Sequence, residues 1–324
     1  MAKRKYSKMK KIEPSVQTLL FSTPTIANGT QEDFYIDLSQ CASIINRRFY
    51  RQGINWAVSG IKVMSAAGFL GQVIVSKLPN TWVLSNAWEK CFRAWKRQQD
   101  DAIDDGDQQS VKAKFNDFKI FMDSNHLSDG FASNLLPQTV VAGAVSTATA
   151  GEWEASQIVI PNFGTVGTNY EPFIQAVGDD VGGAGGSISL VKAYADSRGV
   201  PQSPDPAVPA GVTSADNIYR AMFDVGDNME DVMDNVVGKN NDLPYPQEDY
   251  PGGDTQLPGA QIHDYEFVTG TTIGGTTRFK GGNFPCGLIK LSGSNSGSTA
   301  NLVFQIDLVP GTHRGYLCEP MTEM

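Results

Sequence analysis

The amino-acid sequence predicts an all-β protein with inserted helices, folded as a single eight-stranded jelly-roll β-sandwich. Short apolar segments with period-two alternation recur along most of the 324-residue chain. The 33 glycines and 17 prolines indicate many turns. The predicted strands, about eight to ten, are irregularly spaced and separated by long connections, which favours a Greek-key sandwich over a meander. A doubly wound parallel sheet would need a regular alternation of strands and helices, which this sequence lacks.

The most informative stretch for the fold lies between residues 46 and 77. Two apolar runs, at residues 54–64 and 69–76, are joined by small residues, a pattern that predicts a β-hairpin. In the first run the apolar alternation slips by one position at Ser59 and Gly60, which predicts a β-bulge. A basic turn that also carries aromatic residues precedes this run and contains Arg47, Arg48, Phe49, Tyr50 and Arg51.

The predicted domain organisation is a basic arm with an extended connector, residues 1–32, followed by a jelly-roll domain, residues 33–324. Apolar residues near the end of the connector could dock against this domain. Two insertions interrupt the domain. The first, at about residues 80–125, is predicted to be helical, and the second, at about residues 196–260, is rich in proline and glycine and contains a predicted helix.

The apolar periodicities predict the remaining elements. Helical spacing predicts helices at residues 79–97, 111–122 and 218–236. The first helix carries a stripe of Leu84, Trp88, Cys91 and Trp95, which we interpret as core packing rather than as a base-stacking surface. Residues 39–45 fit either a turn or a short helix. Alternation predicts strands at residues 34–38, 139–145, 153–161, 170–177, 187–194, 262–268, 276–280, 287–291 and 302–309.

Charge is distributed unevenly along the chain. The net charge is −9, yet residues 1–11 contain no acid and six basic side chains, which are Lys3, Arg4, Lys5, Lys8, Lys10 and Lys11. A cationic leader on an acidic body is typical of a nucleic-acid-binding arm, a nuclear address or a membrane-surface patch. The leader has almost no apolar residues to bury, so we do not expect membrane insertion.

An acidic cluster follows the first predicted helix and contains Asp100, Asp101, Asp104, Asp105 and Asp107. One interpretation is a solvated acidic loop. The other is a structural Ca²⁺ site at a contact between subunits, because hard cations bind clustered carboxylates. The spacing is not that of an EF-hand, since the glutamate at the twelfth position is missing.

Recognisable catalytic motifs are missing from the sequence, so we expect a non-enzymatic protein without a cofactor. The three histidines, His126, His263 and His313, are far apart, and the four cysteines have no CxxC spacing. A dispersed hydrolase site on the β-scaffold stays open as an alternative. We also expect neither a signal peptide nor a membrane span, since no sufficiently long apolar run is present.

Two segments carry a resemblance to a known family: FYIDLSQCASIINRRFYRQGINWAVSGIKV and QVIVSKLPNTWVLSNAWEKCFRAWKRQ, after a Lys/Arg-rich N-terminus. Over residues 33–100 in particular, the chain resembles capsid proteins of small circular single-stranded DNA viruses that encode a replication initiator. Those of diatom-infecting viruses and environmental genomes are the most similar. Their shells look like the jelly rolls of small RNA viruses of the noda- and tombusvirus type.

The resemblance implies a coat protein that assembles with copies of itself into an icosahedral shell around a single-stranded DNA genome, in the virion. The six basic residues of the leader would bind this polyanion with a log–log salt slope of about −4. Arg47, Arg48 and Arg51 would add a second contact, with Phe49 or Tyr50 available for stacking, or would instead form ion pairs within or between subunits. The alternatives are a β-sandwich binding or adhesin-like module and a coat protein of a small single-stranded RNA virus.

Overall fold

The computed structural model describes residues 14–66, 68–106, 110, 116–161, 167–197, 251–252, 259–270 and 275–323. The six basic residues of the leader, Asp107, and the helix expected at residues 218–236 lie outside this part of the chain. Within it the protein is mostly β, with few helices and with antiparallel sheets that are consistent with a β-sandwich.

The strands, in chain order, are β1 (Thr18–Ser22), β2 (Thr30–Asp37), β3 (Ile54–Ser65), β4 (Leu70–Lys77), β5 (Gln138–Val141), β6 (Ala144–Thr147), β7 (Ile160–Pro161), β8 (Asn169–Tyr170), β9 (Phe173–Gln175), β10 (Ser187–Ser189), β11 (Gln261–Thr269), β12 (Thr276–Phe284), β13 (Leu288–Asn295), β14 (Leu302–Leu308), β15 (Pro310–Gly311), β16 (Gly315–Tyr316) and β17 (Cys318–Pro320). The α-helices are α1 (Leu38–Asn46), α2 (Trp82–Asp105), α3 (Ser124–Asp129) and α4 (Leu190–Ser197). Short 3₁₀ turns occupy Phe131–Ser133, Pro285–Gly287 and Met321–Glu323.

Two antiparallel sheets form the body of the molecule. The first has the strand order β1-β14-β3-β12, and β17 also pairs with the first residues of β3. The second has the order β11-β4-β13-β2. The main core contains side chains from both sheets and therefore lies between them. Residues 18–22, which the sequence analysis places in the connector, thus form an edge strand of the first sheet, because Leu19 and Phe21 alternate into the core.

The alternation predicted for the last long strand is confirmed by β14. Its apolar side chains are buried in the core at every second position, while the residues between them are half-buried. Each such buried side chain contributes about 1.5–3 kcal/mol of transfer free energy. The inward residues are Leu302, Phe304, Ile306 and Leu308.

The hairpin predicted at residues 54–76 is wrong, although both of its strands exist. β3 pairs with β12 and β14, whereas β4 pairs with β11 and β13 in the other sheet. The short connection therefore crosses from one sheet to the other. A hairpin and a crossover have the same local sequence pattern, since both have small residues between two alternating runs. Which strands pair with β3 and β4 is decided by residues far away in the sequence. The predicted bulge is confirmed: the register between β14 and β3 shifts so that Ser59 is the extra residue.

The helical insertion differs from the prediction in two places, and a later predicted strand differs as well. α2 starts at the N-cap Thr81, whose side chain accepts the N–H of Leu84, and continues to Asp105, beyond the predicted end. The part of the predicted second helix that is described, residues 116–122, is extended rather than helical. Phe121 donates its N–H to the Ile174 carbonyl at 2.9 Å, so pairing with β9 overrides the helical spacing. The predicted strand 187–194 ends at Ser189 and continues as α4.

A second apolar cluster covers the outer face of the second sheet near the ends of β2 and β13. The buried stripe of α2 packs into this cluster, as the sequence predicts, together with the extended segment 118–122 and α4. Tyr35 on β2 and Leu288 on β13 point into it, while their neighbours Ile36 and Ile289 point into the sandwich core. The insertion is therefore a third layer, and the basic turn at residues 47–51 borders it.

Candidate nucleic-acid interface

The basic turn (residues 47–51) directly follows α1 and lies on the surface. Arg47 is the C-cap of α1, with a left-handed backbone (φ 54°), and its N–H is bonded to the Ser43 carbonyl. Arg47 and Arg51 are exposed, and Arg48 is half-buried. Among the described residues, no acidic side chain is within ion-pair distance of Arg47 or Arg51. The ion-pair interpretation of these two residues thus has no intramolecular support in this part of the chain.

Tyr50 is not available for base stacking, because it is fully buried in the sandwich core. Its ring packs between Trp56 and Tyr316, with centroid distances of 5.8 and 5.6 Å. Its hydroxyl donates to the Arg314 carbonyl at 3.0 Å. Phe49 is only half-buried, so stacking by this residue stays a prediction.

His313 and Arg314 join the basic turn from the C-terminal part of the chain. They lie in the short turn between β15 and β16, and Arg314 Nη1 donates to the Phe49 carbonyl. Arg314 also has a left-handed backbone (φ 49°), as Arg47 does. Such strained positions cluster at functional sites. Sequence reasoning missed both residues, because the turn that carries them is 264 positions away from Tyr50.

The N-terminal segment enters the domain beside the basic turn. Val16 donates its N–H to Asn46 Oδ1 at 3.1 Å, and its carbonyl accepts from the Tyr316 hydroxyl at 2.6 Å. Asn46 is the residue before Arg47. The described part of the N-terminal segment therefore enters the sandwich at the same end as the basic turn, and we call this end the basic end.

Two grooves flank the basic turn, and Phe49 lines both of them. The hairpin groove has a volume of about 890 Å³ and lies between Arg47 and Arg48 on one side and the β5–β6 hairpin and Trp153 on the other. The aromatic groove has a volume of about 350 Å³ and is lined by Arg51, His313 and Arg314 as well as by aromatic residues of α2. One acid lines each groove: Glu152 the hairpin groove and Glu89 the aromatic groove.

The carboxylate of Asp37 holds the basic turn to its surroundings. Its Oδ1 accepts the N–H groups of Ser39 and Gln40 as the N-cap of α1, at 2.8 and 3.2 Å. Its Oδ2 accepts from Gln52 Nε2 at 3.0 Å and from Trp153 Nε1 at 3.1 Å. Burial raises the pKa of Asp37 to about 6, against the opposing effect of these hydrogen bonds.

A buried polar network lies behind this end of the sheet. Lys290 Nζ is 3.0 Å from Asp33 and 3.1 Å from Asp123, and Asp123 also accepts the Tyr35 hydroxyl at 2.8 Å. The His126 ring stacks on Tyr35 at a centroid distance of 4.3 Å. None of these five residues lines either groove. The network therefore fixes the insertion on the sheet and is not placed to act on a ligand in the grooves.

His126 is held as a neutral side chain within this network. Its Nδ1 accepts the Met122 N–H at 3.0 Å, so the ring proton is on Nε2, which donates to Asn134 Oδ1 at 2.8 Å. Burial lowers the pKa of His126 to about 4, because the charged form would lose its hydration.

The acidic cluster lies on a helix, not in a loop as the sequence analysis expected. Asp100, Asp101, Asp104 and Asp105 occupy the last turns of α2, where Arg97 Nε is 3.8 Å from Asp101. The helix persists although carboxylates are unfavourable near a helix C-terminus. In the described ranges no group of three or more His, Cys, Asp or Glu residues is arranged to hold a metal ion. Asp107 lies outside them, and the Ca²⁺ site stays a prediction.

Burial raises the pKa of all four cysteine thiols, to about 12 for Cys91 and Cys318, so none is an activated nucleophile at neutral pH. Of the helices that the structure describes, none is long and apolar enough to span a membrane.

No protein-family model, curated protein sequence or solved structure matches this chain.

Proposed function

We propose that this protein is a viral coat protein that assembles with copies of itself into an icosahedral shell and packages a single-stranded DNA genome. The observation that carries the proposal is the position of the chain entry beside the basic turn. Val16 is hydrogen-bonded to Asn46, so the segment that follows the cationic leader enters the domain beside Arg47, Arg48 and Arg51. One polyanion can contact all of them.

The strand order supports a jelly roll within this proposal. Leaving aside the three-residue β17, the two main sheets share eight strands. The first, third, sixth and eighth of these lie in one sheet, and the second, fourth, fifth and seventh in the other. Strands that alternate between two sheets in this way are expected from the paired Greek keys of a jelly roll, a fold of viral capsids and of lectins.

Packaged nucleic acid is a dense polyanion, and Lys and Arg side chains bind it without sequence preference by releasing counterions. The rest of the chain is acidic, since the net charge is −9 in spite of the leader. A shell built from such subunits attracts the genome to one surface only, if the basic ends all face the enclosed space. The proposal names DNA rather than RNA because of the resemblance over residues 33–100, and a single-stranded RNA genome is the alternative.

The exposed edge of the second sheet supports self-assembly. β11 pairs with β4 on one side and is the edge strand of its sheet. On it, Ile262, Tyr265 and Phe267 are 62%, 54% and 67% exposed, and the two aromatic rings lie 6.1 Å apart. Apolar side chains grouped on an edge strand mark a protein interface. We assign this β11 edge to a contact with a second copy of the chain.

A β-sandwich binding module is the second candidate function. The observation in its favour is the hairpin groove, whose volume of about 890 Å³ is within the range of about 300–1,000 Å³ found for small-molecule sites. Such a protein would stay a discrete monomer or dimer, because its site is complete in one copy.

The experiment that tests the proposal replaces the six basic residues of the leader by glutamine in the full-length chain. Size-exclusion chromatography and negative-stain microscopy report assembly, and nuclease-protected nucleic acid per particle reports packaging. We expect shells that form but contain little nucleic acid.

A variant with Arg93, Lys96 and Arg97 of α2 replaced by glutamine is the control for lost charge. If the leader variant packages as much nucleic acid as the wild type, the leader has no such function. A monomer or dimer at every salt and Ca²⁺ concentration instead favours the binding module.

A further inference from the structure

The aromatic groove is lined by both aromatic rings and basic side chains. One wall is a cluster of three packed rings, in which Trp88 stacks on Phe92 at 5.1 Å and Phe118 meets both edge-on. Phe49 of the basic turn faces the same space from another element. The residues that line this groove therefore include four aromatic side chains, of which Phe49 and Phe92 are only half-buried, and Phe49 belongs to the basic turn itself.

The rim of the aromatic groove is positively charged. Arg51 and Arg314 line it from two different turns, and His313 lies next to Arg314. The acid among the lining residues, Glu89, is already paired with Arg93 at 2.5 Å, so its charge is balanced within α2. The groove thus presents two arginines to an anionic ligand, and each can bind a phosphate through its planar guanidinium group.

A buried donor in the wall is left without a partner. Trp88 is 7% exposed, and its Nε1–H has no hydrogen-bond acceptor among the described residues. Buried indole N–H groups usually have a partner. Gly53 supports the ring closely, because a Cβ at that position would overlap the indole of Trp88. The Nε1 atom itself is inaccessible, so Trp88 gives the groove a closely packed apolar wall rather than a donor for a ligand.

The volume of the groove limits the ligand. About 350 Å³ is at the small end of the range of roughly 300–1,000 Å³ for small-molecule sites. This space suits a single nucleotide and excludes a duplex. An unpaired base with its phosphate also matches the chemistry of the lining, since it brings a flat ring and a negative charge together.

We propose that the aromatic groove binds one nucleotide of the packaged strand, with the base stacked on Phe49 and the flanking phosphates on Arg51 and Arg314. This inference rests on the proposed nucleic-acid-binding function and deepens it. The basic end then holds the strand at a base-dependent point, in addition to the charge-only contacts of the leader. Every base has a ring face, so the site recognises single-strandedness rather than a particular sequence.

The test compares two fluorescent oligonucleotides of about 12 nucleotides on the full-length chain, one of thymidylate and one of the same length with abasic sugars. We expect the wild type to bind the thymidylate oligomer about 5- to 100-fold more tightly, the range of one stacked base. Phe49→Leu should reduce this preference to about one, whereas Phe49→Tyr should keep it. Arg314→Gln should weaken the binding of both oligomers and lower the salt slope by about 0.7.

Lys96→Gln is the control, because Lys96 is exposed on the same helix as Trp88 and does not line the groove. Equal affinity of the wild type for both oligomers overturns the base-binding groove, as does an unchanged preference in Phe49→Leu. In either case salt-dependent binding of the abasic oligomer still supports the packaging function. If neither oligomer binds at any salt concentration, the packaging function fails as well.

Discussion

The basic end and the β11 edge are both exposed surfaces, but they are built from different side chains. At the basic end, arginines from two turns surround one half-buried aromatic ring. At the β11 edge, three large apolar side chains are exposed along one strand. None of the residues that line the two grooves belongs to β11. The first surface suits a polyanion and the second suits a protein, so one chain carries the two contacts that a packaging shell needs.

The two surfaces also differ in how they are attached to the core. The basic turn is fixed by the buried carboxylate of Asp37 and by the hydrogen bond between Tyr50 and Arg314. The β11 edge is fixed by its register with β4 and by hydrogen bonds of His263 and Asp264 to the Lys280 backbone of β12, and its exposed apolar side chains take no part in these bonds. Changes at the β11 edge should therefore affect assembly with little effect on folding, whereas changes behind the basic turn should affect folding and binding together.

The largest effect is expected from Tyr265→Ser combined with Phe267→Ser. Aromatic side chains at the centre of an interface contribute about 2 kcal/mol or more each. The double substitution should therefore raise the concentration needed for shell formation by on the order of 1,000-fold. Light scattering against protein concentration measures this shift. Val140→Ser with Val145→Ser on the β5–β6 hairpin is the control, since both valines are also exposed. Shells that form at the wild-type concentration would remove β11 from the interface.

A smaller effect is expected when Arg47, Arg48 and Arg51 are all replaced by glutamine. Each phosphate contact on a single strand adds about 0.7 to the salt slope, so the slope should fall by about 2. Titration of the chain with single-stranded DNA at several salt concentrations gives this value. Shell formation itself should persist. A slope equal to that of the wild type would show that these arginines make no phosphate contacts.

The pH dependence of unfolding should separate Asp37 from His126. The pKa of Asp37 is raised from 3.8 to about 6, so the folded state binds the proton more tightly and this group adds stability as the pH falls from about 6 to about 3.8. The pKa of His126 is lowered from 6.5 to about 4, so the unfolded state binds the proton more tightly. This group therefore removes stability as the pH falls from about 6.5 to about 4. Each contribution is on the order of 3 kcal/mol, and the two oppose each other.

Chemical denaturation between about pH 7 and about pH 4 measures both contributions. The double β11 variant is the best background, because unfolding then reports on single subunits. Asp37→Asn should become more destabilised relative to its parent as the pH falls, and His126→Gln should become less so. If the two variants follow their parent in parallel, the buried groups do not titrate as the structure indicates.

The smallest effect is expected from Tyr50→Phe. This change removes the hydrogen bond to the Arg314 carbonyl and leaves the ring in the core, so it should lower the free energy of unfolding by about 1 kcal/mol. It should also loosen Arg314 and lower the affinity for single-stranded DNA slightly, with the salt slope unchanged. Tyr316→Phe removes the hydroxyl that bonds Val16 and tests the attachment of the leader in the same way.

Local periodicity predicted much of the sandwich, because inward side chains repeat at every second residue whatever the pairing. The alternation of β14 and the bulge at Ser59 could both be inferred from the sequence for this reason. The pairing could not, since the partners of β3 lie more than 200 residues away. Phe118 and Met122 fit a helix by spacing, yet their segment is extended in the fold because Phe121 and Met122 form hydrogen bonds with the distant residues 174–177.

The basic turn could be predicted as a unit because its arginines are adjacent in the sequence. Arg314 could not, since only the fold brings it to Phe49. The same holds for the ion pairs of Lys290 with Asp33 and Asp123. These three residues come from three separate segments of the chain. Sequence patterns therefore indicate which residues are buried on a strand or helix, while contacts between charged side chains depend on the complete topology.

A reconstruction of purified shells by electron microscopy tests the central claim most directly. The account predicts closed particles in which Val16 and the basic turn of every subunit face the enclosed space, next to density for nucleic acid, and in which β11 lies between subunits. Particles with the basic turn on the outer surface would contradict it, and so would a chain that never assembles.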